Sequence, residues 1–282
     1  MLNISFIELK NMKLKSNIKN YILYLFVWSL LLLSYSNLHC ESPYKLDWTK
    51  DGIIIGAGIG LGAVSLILDN KVKPLTIDEF NKLNKNDING FDRFATGKYS
   101  EKLSTVSDYA LGTAITSPIV FILSEKMRED WFTIGVMYGE TMMFSGFLSY
   151  LAKGTAQRIR PYAYNNEVPT VWKLNSDIKK SFFSGHTSIA FSSAVFLSAV
   201  YSDYFPNSDY IPYIWGGSLL LASGIGIMRI ESGNHFPTDV IVGAIVGSAS
   251  GYLIPYLHRR TNKDEGFNFQ IGIDRVSVCY KF

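Results

Sequence analysis

The sequence predicts an all-α protein whose six-helix core contains a helical bundle and is embedded in a membrane. The chain is 48% hydrophobic and only 18% charged, which is less charge than the roughly 25% of an ordinary soluble domain. Each of six apolar segments is too long for a strand and lacks period-two alternation, so each is expected to be a helix. The segments cover residues 52–68, 109–124, 131–151, 187–201, 211–228 and 240–257.

The membrane placement is open to one alternative. Several segments lie close to the lower limit of about 17 residues needed to span a bilayer, and Glu140 in the third segment would be costly if it faced lipid. The distribution of lysine and arginine does not fix an orientation. The composition favours a membrane-embedded bundle, and a soluble periplasmic bundle is the alternative.

The N-terminal region is typical of an export signal. A lysine-rich stretch precedes a short apolar run at residues 21–33, and small residues follow as far as Ser36. Residues 1–36 are therefore predicted to be a signal peptide or an uncleaved anchor, with a polar linker at 37–50. A lipoprotein signal ending at Cys40 is a weaker interpretation, because Leu38 and His39 before it make a poor lipobox. The protein is expected in the cell envelope, with its functional site facing the periplasm or the exterior.

The remaining domain boundaries follow from the same pattern. Residues 51–262 are predicted to form one helical domain, with the motif-bearing core at 131–257. Hydrophobic residues alternate on both sides of Asp274-Arg275, which predicts a short β-hairpin over residues 263–282. Cys40 and Cys279 match no metal-binding spacing, and their pairing is undetermined.

Nucleic acid is not an expected partner. The formal net charge is only +3, and no basic stripe interleaved with aromatic residues is present.

A first polar cluster follows the third apolar segment. Lys153 and Arg160 are separated by two helical turns if the helix continues that far, so both could project from one face. Pro161 disfavours helix at Arg160 and predicts that the helix ends there. Two such cations could bind an anion, although charged helix ends are common in proteins that bind none.

A second cluster, Ser184-Gly185-His186, opens the fourth segment. Small residues let backbone N–H groups approach a ligand, and the following helix adds its positive N-terminal end, which together suit an anion. His186 could donate a proton to a leaving oxygen. A serine cap beside an incidental histidine is the alternative interpretation.

The third cluster lies between the fifth and sixth segments and contains Arg229, His235 and Asp239. Asp239 is four residues after His235, close enough for its carboxylate to hold one imidazole nitrogen. The other nitrogen would then be free to act as a nucleophile. A capped helix start with a structural histidine is the alternative. Together the three clusters supply three cations, two imidazoles and a carboxylate for phosphoryl transfer.

At these residues the sequence resembles the type 2 phosphatidic acid phosphatase superfamily. That superfamily also includes nonspecific acid phosphatases and vanadium haloperoxidases, and its signature is Lys-x6-Arg-Pro, Pro-Ser-Gly-His and Ser-Arg-x5-His-x3-Asp. The first motif matches fully at 153–161. Phe183 replaces the proline of the second motif and Met228 replaces the serine of the third. Both replaced residues flank the ionic groups of the motifs, which are all present.

The resemblance implies a mechanism. His235 attacks phosphorus, Asp239 orients it, and His186 protonates the leaving alkoxide. The transferring oxygens are neutralised by cations and receive further hydrogen bonds from the second motif; these substrate-binding residues are Lys153, Arg160, Arg229, Ser184 and Gly185. Water then cleaves the phosphohistidine. The mechanism needs no metal or cofactor, and no carboxylate/histidine cluster visible in the sequence suggests a metal site.

The substrate remains open at this stage. Membrane-spanning helices would favour a lipid phosphate or a polyprenyl pyrophosphate, whereas a soluble bundle would favour small phosphomonoesters. A haloperoxidase is disfavoured because that branch has much longer chains. A non-catalytic membrane anion-binding protein of the same fold is disfavoured because His186, His235 and Asp239 are all present. The sequence does not indicate the oligomeric state.

Overall fold

The computed structural model of the chain describes residues 42–260, 266–273 and 276–281. The predicted signal peptide or anchor, Cys40 and the turn at Asp274-Arg275 lie outside the described residues.

Six long helices occupy the positions of the six predicted segments. They are α1 (Trp48–Asp69), α2 (Glu101–Thr116), α3 (Trp131–Ala156), α4 (Gly185–Tyr204), α5 (Ile211–Glu231) and α6 (Pro237–His258). The predicted helical core is therefore confirmed. Helix α2 begins eight residues earlier than the apolar segment predicts, because the Ser100 side chain accepts a hydrogen bond from Leu103 N and caps its first turn.

Short helices fill the connections. The stretch at residues 70–102, which the sequence predicts as a polar connection, contains several of these single turns. The short helices between the long ones, among the described residues, are Ile77–Asn81, Lys85–Asp87, Gly90–Arg93, Phe94–Gly97, Ser117–Leu123, Glu125–Arg128, Pro161–Tyr164, Thr170–Lys173 and Ser176–Lys179.

Local sequence explains where the helices that carry the polar motifs begin and end. The Ser184 side chain caps α4 by accepting from Thr187 N. Helix α6 begins at Pro237, whose missing N–H costs nothing in a first turn. Helix α3 ends at Ala156 because Gln157 adopts a left-handed backbone conformation with φ 42°. The helix thus stops before Arg160, and the interpretation of Lys153 and Arg160 as two turns of one helix is wrong.

Helix α4 is the centre of the bundle. It packs against α2, α3, α5 and α6, while α1 packs on α3 at the outside. The closest approach is between α4 and α6, where Gly243, Gly247 and Gly251 lie against the backbone of α4. A Cβ atom on Gly243 would lie 2.6 Å from the Ser184 carbonyl oxygen, so only glycine permits this approach.

Four helices are long and apolar enough to cross a membrane, counted among the described residues. They are Trp48–Asp69, Glu101–Leu123, Ile211–Glu231 and Pro237–His258. No more than 28% of the most apolar 18-residue window of each helix is buried inside the protein, as expected of helices that face lipid. The chain is therefore a membrane protein. Helix α4 falls outside this set, and its buried serines face other helices rather than lipid.

Two strands follow the bundle, Gly266–Ile271 and Val276–Lys281, and they pair antiparallel with Gly266 opposite Lys281. Because the residues of the connecting turn are outside the described part of the chain, the closed C-terminal hairpin stays a prediction.

Candidate active site

The three sequence motifs meet at one end of the bundle. The backbone N–H of Ser184 donates to the Asp239 carbonyl at 3.0 Å, which joins the second and third motifs. Arg160 Nη1 donates to the Asn234 side-chain oxygen at 3.0 Å and joins the first motif to the third. A Cβ atom on Gly185 would lie 3.4 Å from Lys153 Nζ. The structure thus brings residues of the three predicted motifs together at one end of the bundle.

His235 is fully buried and held in one tautomer. Its Nδ1 lies 2.7 Å from the backbone carbonyl oxygen of Ser181, and a carbonyl oxygen can only accept a hydrogen bond. Nδ1 therefore carries the proton, and Nε2 is left with its lone pair. This is the state that a nucleophilic histidine requires.

Asp239 does not contact His235 in the way that its spacing predicts. The distance from His235 Nδ1 to Asp239 Oδ2 is 3.9 Å, too long for a hydrogen bond. Asp239 Oδ2 instead accepts from Ser181 Oγ at 2.5 Å and from Phe236 N at 2.9 Å. The carboxylate thus holds the Ser181 residue whose carbonyl holds the imidazole, and it positions His235 through that residue.

A second buried carboxylate, that of Asp92, supports Asp239. The spacing of the motifs does not predict it. Arg158 bridges the two, donating to Asp239 Oδ1 at 2.6 Å and to Asp92 Oδ2 at 2.7 Å. Asp92 also accepts from the backbone N–H and the hydroxyl of Thr238. Burial acts to raise the pKa of Asp92, but hydrogen bonds from Arg158 and Thr238, with one from Asn89, hold it below its ordinary value. The start of α6 is thereby fixed by charged groups.

Arg160 and Arg229 belong to the site, and both are buried. Arg160 donates to the carbonyl oxygen and the carboxylate of Asp177, both at 2.9 Å. Arg229 Nη1 donates to Ser104 and Ser107 at 3.1 Å each, and its Nε has no hydrogen-bond partner within the described chain. Guanidinium groups can bind an anion with two parallel hydrogen bonds, and the contacts with Asp177, Ser104 and Ser107 hold both of these side chains in place.

His186 faces a carboxylate from α2 that sequence spacing also does not predict. Its Nε2 lies 2.7 Å from Asp108 Oδ1, and Arg229 Nη1 lies 3.5 Å from the same oxygen. Asp108 is more than half exposed. An exposed carboxylate therefore contacts both His186 and Arg229.

The cations change the chemistry of His235. Burial lowers its pKa well below the ordinary value for histidine, and the positive charges of Arg160, Arg229 and Lys153 lower it further. The imidazole is consequently neutral at physiological pH.

The second motif provides the positive end of α4. The Ser184 hydroxyl is buried and already accepts from Thr187, so it serves first as the helix cap. Its own proton stays available to a ligand. The N–H groups at the start of a helix have no partner within the helix, and that of Gly185 is one of these.

The fold and the site define a class: a helical membrane protein in which the charges of three cationic side chains act on a neutral, singly protonated histidine. Residues 134–263 match the family model of the PAP2 superfamily. This match confirms the resemblance that the three motifs carry.

Three individual proteins resemble the chain at low sequence identity. The chain is 26% identical over 163 residues to the bacitracin transport permease protein BcrC of Bacillus licheniformis, an alignment that spans 53% of this chain and 75% of the relative. It also resembles the crystal structure of Aquifex aeolicus LpxE, with 21% sequence identity and a TM-score of 0.39. The match covers 57% of this chain and 90% of the LpxE chain. The crystal structure of a transmembrane PAP2-type phosphatidylglycerolphosphate phosphatase from Bacillus subtilis has 19% sequence identity to the chain and a TM-score of 0.44. That match covers 71% of this chain and 94% of the other.

Proposed function

We propose that the protein is a phosphatase that hydrolyses a phosphate ester carried by a membrane lipid, through a phosphohistidine formed on His235. The observation that carries this proposal is the hydrogen bond from His235 Nδ1 to the Ser181 carbonyl. It leaves Nε2 unprotonated in a pocket whose charges come from Lys153, Arg160 and Arg229.

In the first step, His235 Nε2 attacks phosphorus. A P–N bond forms and the P–O bond to the lipid alcohol breaks, while His186 gives a proton to the leaving oxygen. The three cations neutralise the negative charge that spreads over the remaining phosphate oxygens. These groups supply the charge that a metal ion supplies in other phosphatases.

In the second step, water attacks the phosphohistidine. His186, which has lost its proton, takes one from the water as the P–N bond breaks. Inorganic phosphate leaves, and His235 and His186 return to their starting states. Asp239 holds Ser181, and through it the imidazole, during both steps.

Asp108 is assigned a place in this cycle. Its carboxylate can only accept, so Nε2 of His186 carries the proton while the two are bonded. We infer that the phosphate displaces Asp108 from His186 and Arg229, and that the ring then takes up a second proton from water, because the negative phosphate stabilises the imidazolium that the first step needs.

A lipid substrate is favoured by the position of the pocket. It lies where α3 and α5 end and α4 and α6 begin, and α5 and α6 are apolar enough to span a membrane. A phosphate headgroup at this level would let its hydrocarbon chains remain beside the exposed apolar faces of the helices. A phosphatidate or a polyprenyl pyrophosphate fits this arrangement.

The test is phosphate release by the purified protein in detergent with chelator present. Wild type, His235→Ala and a matched surface control, Glu167→Gln, would each receive phosphatidate, a polyprenyl pyrophosphate and a small aryl phosphate. We expect wild type and the control to release phosphate, most rapidly from a lipid, and the rate of His235→Ala to fall by at least about 10³. Equal thermal stability of the three proteins would establish that the loss is chemical.

Other outcomes would change the assignment. Release from the aryl phosphate only would indicate a nonspecific phosphatase rather than a lipid phosphatase. No release from any substrate by folded wild type would indicate a non-catalytic anion-binding protein.

A further inference from the structure

We propose that Asp51, Glu140 and His258 form a binding site for a divalent transition-metal ion of the zinc class, separate from the phosphatase site. The three residues come from α1, α3 and α6, and all three are buried. His258 is at the opposite end of α6 from Asp239, about 28 Å away along the helix axis. The proposal does not depend on the phosphatase function.

The geometry places one nitrogen and two carboxylate oxygens together. His258 Nε2 lies 2.7 Å from Asp51 Oδ1 and 3.4 Å from Glu140 Oε2. The three potential ligand atoms lie within 4.8 Å of one another. A zinc ion with nitrogen and oxygen ligands at about 2.0–2.2 Å would hold them within about 4.4 Å, so small side-chain shifts would complete the site.

The hydrogen bonds around the cluster require a positive charge at its centre. His258 Nδ1 faces the Ile254 carbonyl oxygen at 2.8 Å and must carry a proton, because that oxygen only accepts. In a neutral ring Nε2 then has only a lone pair, which would point at two carboxylates. Either a second proton or a metal ion must lie between them.

Glu140 favours the metal ion over the proton. Its side chain is only 2% exposed, and neither carboxylate oxygen has a hydrogen-bond partner among the described residues. A proton on His258 Nε2 would bond the nearer Asp51 and leave Glu140 with an ion-pair contact at 3.4 Å but no hydrogen bond, which is costly for a buried carboxylate. A divalent ion would bind all three side chains and neutralise both carboxylates.

The surrounding backbone already orients two of the ligands. The Ile254 carbonyl fixes the tautomer of His258, as a second hydrogen bond does for most metal-binding histidines. The Asp47 N–H donates to Asp51 Oδ2 at 2.8 Å and leaves Oδ1 toward the cluster. A ligand set of one imidazole and two carboxylates suits zinc, iron or manganese, whereas magnesium and calcium prefer ligand sets made of oxygen atoms only. The ion would tie α1, α3 and α6 together.

The test uses zinc as the probe on the full chain in detergent. Protein stripped with chelator would be given Zn²⁺ and desalted, and its metal content and thermal unfolding measured for wild type, Glu140→Gln, Asp51→Asn, His235→Ala and the matched carboxylate control Glu167→Gln. We expect one zinc per chain and a Tm raised by about 5 °C in wild type, His235→Ala and Glu167→Gln. Glu140→Gln and Asp51→Asn should retain less than about a tenth of the zinc.

X-ray absorption of the bound zinc keeps the test independent of how the variants fold. The proposal predicts a first shell with one imidazole nitrogen and carboxylate oxygens in wild type. It is overturned if wild type retains no zinc, if Glu140→Gln retains as much as wild type, or if His235→Ala is the variant that loses the metal. The first two outcomes would assign the cluster to a proton, and the third would place the zinc in the phosphatase pocket.

Discussion

At the scale of single residues, the site depends on which groups compete for each carboxylate. The four-residue spacing of His235 and Asp239 correctly indicates that they are neighbours, but it does not show that Ser181, Phe236 and Arg158 take the Asp239 oxygens first. Two of these partners, Ser181 and Arg158, come from distant parts of the chain. Sequence spacing therefore predicts the residues of the site better than their hydrogen bonds.

The protonation of His235 gives a first prediction. Because burial and nearby positive charges lower its pKa, lowering the pH should leave the ring neutral until well below pH 6.5, and protonation would then remove the nucleophile. The sequence has only four histidines, so NMR of protein carrying ¹⁵N-labelled histidine can assign this ring by comparison with His235→Ala. We expect a neutral ring with its proton on Nδ1 at pH 5.5. Titration of this ring near pH 6.5 or above would contradict the account.

The role of His186 gives a second prediction. Substitution by alanine should lower kcat by about 10² to 10⁴ for a lipid phosphate, because its alkoxide leaving group needs a proton. An aryl phosphate has a leaving group that departs readily without one, so its kcat should fall by less than about tenfold. The comparison of both substrates with His186→Ala and wild type is the measurement. Equal losses on the two substrates would show that His186 does not act as the general acid.

The same scale shows what the motifs do not contain. Arg158 and Arg160 both lie inside the first motif. The sequence alone does not tell which of the two bridges Asp92 and Asp239, and the structure shows that it is Arg158. Asp92 and Asp108 lie in other segments, and no local pattern marks them. Each becomes recognisable only when the fold brings it to a motif residue.

At the scale of elements, hydrophobic segments predict the helices but not their packing. The six segments match α1 to α6, and the differences at their ends come from caps such as Ser100 and from the left-handed Gln157. The glycines at every fourth position of α6 are visible in the sequence. Their partner, the backbone of α4, is known only from the structure.

The contact between α4 and α6 gives a third prediction. In Gly247→Ala the new Cβ would clash with the Ser188 carbonyl oxygen, so the helices must separate at a cost of about 1–3 kcal/mol. Because α4 and α6 carry His186 and Asp239, phosphatase activity should fall as well. Thermal unfolding and phosphate release in detergent would measure both effects.

The control for this prediction is Gly216→Ala on α5, where an added Cβ would meet no atom within 4 Å. This substitution should leave activity unchanged and stabilise the helix by up to about 1 kcal/mol. If Gly247→Ala were as stable as Gly216→Ala, the close packing of α4 against α6 would be wrong.

At the scale of the whole molecule, two polar clusters lie toward opposite ends of an apolar bundle. The motif-bearing cluster is predictable from sequence because its residues occur in short, characteristic strings. The cluster of Asp51, Glu140 and His258 is not predictable from sequence, because its residues occur singly in three separate segments. The sequence shows only that Glu140 would be costly against lipid, and the structure explains this residue by turning it toward His258.

The central claim is that His235 carries the phosphoryl group during turnover. It is tested most directly by rapid acid-free denaturation of the enzyme during hydrolysis of a ³²P-labelled lipid phosphate, followed by peptide mapping. The account predicts an acid-labile, base-stable label on the peptide that contains His235 in wild type, and none in His235→Ala. Label on another residue, or wild-type turnover with no labelled enzyme under conditions where hydrolysis of the intermediate is slowed, would contradict it.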